Sequence, residues 1–83
     1  MKVVLVTFQD PTTYDQWMPV STVDQSLPRL VCACGFLMER NDKVVKVALL
    51  LGHDKEIASN WVDIPAGCVV STDELKEVEW KDA

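Results

Sequence analysis

Long apolar runs, glycine, histidine and basic residues are all scarce in this 83-residue chain, and each shortage excludes something. After Met1-Lys2 the apolar run Val3 to Val6 is interrupted by Thr7 and closed by Asp10-Pro11. That is far short of a signal-peptide core or of the ~20 residues a membrane span needs, so the chain reads as cytoplasmic with no membrane partner. Only three glycines occur, Gly35, Gly52 and Gly67, and they lie too far apart to form a phosphate-cradling loop. Nucleotide hydrolysis is disfavoured. Eight Lys and Arg stand against 13 Asp and Glu, a formal net charge of -5, which argues against duplex nucleic acid as a partner because such binding depends on clustered cations. The single histidine, His53, sits beside Asp54 in a polar turn, where adjacent side chains seldom face each other. No serine or cysteine is tied to that pair by spacing, so the expectation is a protein that is not an enzyme. Three cysteines cannot all pair, and Cys32-Ala33-Cys34 lacks the two-residue spacer of common zinc knuckles. No disulfide framework, metal or cofactor is implied, and the thiols read as small buried apolar groups in a reducing cell.

What is present is the composition of a folded domain, 48% hydrophobic and 25% charged, sized for one unit spanning 1–83. Lys2 to Gln9 is rich in β-branched residues and ends at Asp10-Pro11, which predicts a first strand. The stretch from Asp10 to Ser26 is polar, with Tyr14 and Trp17 as anchors; Ser21-Thr22-Val23-Asp24 has the form of a capping box, predicting one helical turn through Gln25. Leu30 to Arg40 and Val44 to Leu51 flank the turn residues Asn41-Asp42-Lys43 and predict a hairpin. Ile57 to Ile64 predicts a fourth strand, Pro65-Ala66-Gly67 a break, and Cys68-Val69-Val70 a short fifth. Beyond it, Thr72 with Asp73 and Glu74 resembles a helix start whereas Val78 and Trp80 alternate as in a strand, so a helical turn followed by an edge strand is expected. The expected fold class is mainly β: a small five-stranded bent sheet or partly open SH3-like barrel with one short helical connection. Gly35, inside the second strand, fits either a bend where one long strand serves both halves or a plain packing glycine.

The strands carry more apolar surface than one core can use. In the second, Leu30, Cys32, Cys34, Phe36 and Met38 share one face while Val31, Ala33 and Leu37 occupy the other. The third offers Val45, Val47, Leu49 and Leu51 opposite Val44, Ala48 and Leu50, relieved only by Lys46. The first sets Val4, Val6 and Phe8 against Val3 and Leu5. Leaving about four to six such side chains in water, at ~1.5–3 kcal/mol each, would rival the ~5–15 kcal/mol net stability of a domain. A homo-oligomer is therefore expected, a dimer or a tetramer built as a dimer of dimers.

Binding of a nucleotide-like small molecule needs an aromatic platform, guanidinium groups for phosphate and neutral polar groups for sugar. The candidates are Trp17 and Trp61 for stacking, Arg29 and Arg40 as the only arginines, and Thr12, Thr13 and Asn60 beside the tryptophans; Trp17 also fits a lid over one barrel mouth. The strand ending in Phe8-Gln9-Asp10, Trp17 after a Pro/Thr-rich turn, Gly35-Phe36-Leu37 and Ile64-Pro65-Ala66-Gly67-Cys68-Val69 together resemble a group of small phage and prophage β-proteins. Some phage proteins of this size are immune-evasion sponges of the anti-CBASS type, which form tetramers and sequester cyclic dinucleotides. The resemblance implies a non-enzymatic counter-defence protein, acting in the host cytosol, that captures such a signal at the interfaces of a homo-oligomer. Two other functions stay open: a protein-binding inhibitor of a host factor using the acidic C-terminal segment and a sheet edge, and a structural virion accessory.

Overall fold

Runs of β-branched and aromatic residues at a period of two can bury one face of a pleated strand, and five such runs define this protein. The structure, a computed structural model, describes residues 1–10, 17–25 and 28–81. It places β1 at Lys2–Asp10, β2 at Arg29–Arg40, β3 at Val44–Leu51, β4 at Ala58–Pro65 and β5 at Val69–Glu77. A six-residue helix, α1 (Val20–Gln25), interrupts the connection between β1 and β2, and a 3-10 turn (Ala66–Cys68) joins β4 to β5. The strands form one open antiparallel sheet in the order β4-β3-β2-β1-β5. The expected mainly β, five-stranded bent sheet is the fold.

β2 belongs to both halves of the sheet. Its first part pairs with β1, from Asp10↔Arg29 to Val3↔Phe36, and its last part pairs with β3, from Phe36↔Ala48 to Arg40↔Val45, with a register shift between Leu37 and Glu39. Gly35 sits where the partner changes. A Cβ there would fall on the carbonyl oxygen of Ala48 and within 3.2 Å of Val47 Cγ1. The residue is glycine because β3 backbone passes against it, a close approach that fits the packing reading, while the register shift of β2 falls further on, between Leu37 and Glu39.

The turns are built by local side chains. Asn41 Oδ1 accepts hydrogen bonds from the backbone N–H of Lys43 (2.8 Å) and Val44 (3.0 Å), closing the β2–β3 hairpin. In the next turn Gly52 and Ile57 close the loop through a 2.8 Å backbone bond, with Lys55 in the left-handed region at φ 65°.

The core is small. Val4, Val6 and Phe8 of β1 meet Val45 and Val47 of β3 and Ile64 of β4, with Val31, Ala33, Leu37, Cys68 and Val69 packed partly buried around them. Thr72 faces this core opposite Val6, and its buried Oγ1 has no hydrogen-bond partner, a loss of about 1–3 kcal/mol against a satisfied hydroxyl.

Several expectations are overturned. No helical turn begins at Thr72: β5 runs through Glu77 along β1, because a strand there satisfies its backbone groups on an edge that would otherwise lack a partner. Val78 and Trp80 lie beyond its end. The β1–β5 register skips Val70 and Leu75, so two bulges throw these side chains outward, and both are more than half exposed. In α1 the Pro19 carbonyl accepts the Thr22 N–H at 2.9 Å, which places Ser21 inside the helix rather than at its cap. Cys32 and Cys34 are exposed rather than buried, and only Cys68 is partly covered.

Candidate binding surface

Strand parity decides what faces outward. With Val4, Val6, Phe8, Val31, Ala33 and Leu37 directed at the core, the alternate set (Val3, Leu5, Thr7, Leu30, Cys32, Cys34, Phe36) forms the outer face of β1 and β2. Thr7 and Cys32, directly opposite each other, share a hydrogen bond at 3.5 Å.

One end of this face is covered. After β5 the chain turns over the sheet, held by Val78 N–H to the Met1 carbonyl at 2.9 Å. The Trp80 indole N–H donates to the His53 carbonyl at 2.8 Å, its ring lies 6.1 Å from Phe36 in a tilted arrangement, and Lys55 Nζ sits 4.6 Å from the ring centroid. At this part-exposed site the cation–π contact is worth about 0.5–1 kcal/mol. Nothing in the sequence reading assigned Trp80 this part, although its alternation with Val78 marked it as a residue that seeks a surface.

The other end is bare. Leu30 is 60% exposed, Cys32 and Cys34 are exposed, and Trp17, Met18 and Val20 in the segment leading into α1 are all exposed, Trp17 completely. Trp17 therefore covers no barrel mouth. On β3 and β4, Leu49, Leu50 and Trp61 are each more than half exposed, as is Ile57 just before β4. Among the described residues twelve large apolar side chains are exposed while seven apolar residues form the core, an imbalance that a self-sufficient monomer of this size seldom carries.

The sequence-selected residues are spread over this surface. Arg29 and Arg40 mark opposite ends of β2, eleven steps apart and thus about 36 Å along the strand. Both are exposed, and neither guanidinium forms an ion pair among the described residues. Trp61 lies on β4 opposite Ala48, on the face of Ser59 and Asp63, where Asp63 pairs with Lys46 at 3.0 Å. Asn60, beside it, takes φ 55°, a conformation asparagine tolerates better than most residues, and accepts from Ser59 Oγ at 3.4 Å. Thr12 and Thr13 lie outside the described residues. Within one chain, Trp61 and Asn60 are adjacent and the two arginines stay apart.

No cluster of three or more His, Cys, Asp or Glu side chains suited to a metal ion occurs among the described residues, and no described helix is long and apolar enough to cross a membrane. Asp54 is occupied within its own turn, where Oδ1 accepts the Glu56 N–H at 3.0 Å. The acidic C-terminal segment is sheet rather than a loose tail: Glu74 pairs with Lys2 at 3.0 Å and Glu77 with the N-terminal ammonium at 2.9 Å. No protein-family model, curated protein or solved structure matches the chain.

Proposed function

We propose that this protein is a non-enzymatic binding module that works as a homo-oligomer and holds a nucleotide-like guest, of the cyclic dinucleotide class, at the seams between copies. The reading is carried by the excess of exposed over buried apolar side chains, which gives copies reason to join. It is supported by two exposed tryptophans and two exposed arginines, the groups that stack on a base and fork onto phosphate. Because about 36 Å of β2 separates the arginines, a pocket using both needs more than one chain. A counter-defence role of the phage type is the setting in which such stoichiometric capture is useful without turnover.

Calorimetry of the full chain with a cyclic dinucleotide tests this. Saturable binding is expected, with intact ligand recovered after heat denaturation and with Trp61→Ala and Arg29→Ala each weakening it about tenfold or more. Absence of binding overturns the reading, and recovery of a hydrolysed product moves the protein to the enzymes.

A second reading, a protein-binding inhibitor, is favoured by β5, an acidic edge strand whose two bulges present Val70 and Leu75 on the surface. Since β5 is half of the β1 pairing, truncation would unfold the sheet. Charge reversal at Asp73 and Glu79, both exposed, is the clean test, and it should abolish partner capture while leaving nucleotide binding intact.

A further inference from the structure

A sheet edge offers a row of backbone N–H and C=O groups, and natural proteins blunt such edges with charge, proline or bulges. Two edges of this sheet are treated so. β5 carries Asp73, Glu74, Lys76 and Glu77 and two bulges; β4 carries Asp63, the left-handed Asn60 and a terminal Pro65. A third edge is hidden inside the strand order. From Arg29 to Cys34, β2 has β1 on one side and no strand on the other among the described residues, because β3 pairs with β2 only from Phe36 onward. Past Arg29 this edge is unprotected, with no proline and no charged side chain from Leu30 to Met38.

We propose that this β2 edge is completed by the same edge of a second copy, paired antiparallel about a two-fold axis at Cys32. The inference rests on the self-association in the proposed function and names its seam. Such an axis sets Cys32 against the partner's Cys32, Val31 against the partner's Ala33 and Leu30 against the partner's Cys34. Every pair is free of like charge. The acids that give the chain its net charge lie mainly elsewhere, with β5 across β1 from this edge, so repulsion between two anionic copies is least here.

Five residues of strand pairing alone fall short of the ~800 Å² per partner of a standard interface, so the seam also draws on exposed apolar side chains beyond it, of which Trp17, fully exposed in the single chain, would add about 150–250 Å² once covered.

The test is native mass spectrometry of the full chain in reductant, with variants at Cys32, an exposed position whose substitution leaves the core untouched. At about 50 µM, a concentration at which a micromolar dimer is formed, the unaltered chain and Cys32→Ser are expected as dimers. Cys32→Glu and Cys32→Lys are each expected to weaken the dimer about tenfold or more, since like charges then oppose each other across the axis. An equimolar mixture of those two variants is expected to give a heterodimer, which also shows that both remain folded. A dimer that persists undiminished in Cys32→Glu overturns the β2 seam while leaving self-association standing, as does a mixture that forms no heterodimer. A lone chain in the unaltered protein overturns both.

Discussion

The two ends of β2 are made from similar residues and meet opposite fates. At Phe36–Arg40 β3 takes over from β1 as the neighbour, the inner face is sealed by Val45, Val47 and Ile64, and Trp80 lies over Phe36 outside. At Arg29–Cys34 β1 is the one neighbour and the outer side chains Leu30, Cys32 and Cys34 are bare. Hydrophobicity alone does not distinguish Leu30 from Leu37. Leu30 lies on the outer face and Leu37 on the core side, and the outer face is covered at the Phe36 end alone, so their difference comes from strand parity and from what crosses each end of that face.

That contrast can be broken most forcefully in the core. Ile64→Ala should cost about 2–5 kcal/mol in chemical denaturation, whereas Leu30→Ala, at a 60% exposed site, should shift the stability of the isolated chain by no more than about 0.5 kcal/mol and act instead on assembly. Equal effects of the two would mean that the ends do not differ as described. At the boundary between them, Gly35→Ala drives a methyl group into the Ala48 carbonyl, and a loss of about 1–3 kcal/mol is expected by the same measurement; an unchanged midpoint would show that the corner is slack. A smaller effect than at the corner belongs to the covered end's outer layer. Trp80→Ala removes the ring from Phe36 and the hydrogen bond to the His53 carbonyl, and about 1–2 kcal/mol should be lost in thermal melts, with Phe36 newly reachable by solvent.

Much of the fold was legible because its signals are local. β3 begins and ends where its apolar run and flanking turns predict, and β1, β2 and β4 differ by single residues at their ends. Asn41 and the Gly52 turn work within a few residues of themselves, so the sequence displays them directly. β5 was misread for the converse reason. Thr72-Asp73-Glu74 carries a local helix-start pattern, but the edge of β1 lies some seventy residues earlier in the chain, and pairing with it outweighs the local preference. The cysteines were misplaced because parity says which side chains share a face without saying which face is inward. For the candidate site, the residue types were readable and their arrangement was not: Trp61 and Asn60 are chain neighbours on β4, where successive side chains point to opposite faces, and Arg29 and Arg40 stand at opposite ends of β2.

The amino-acid order by itself determined a single small β unit, its hairpin turns and a surplus of apolar side chains, since period, turn chemistry and composition all act over a few neighbouring residues. Only the tertiary arrangement decided which half of β2 pairs with β1, which with β3, and which face Trp80 shields. Those outcomes depend on contacts between strands remote in the chain, whose pairing no short stretch of residues encodes.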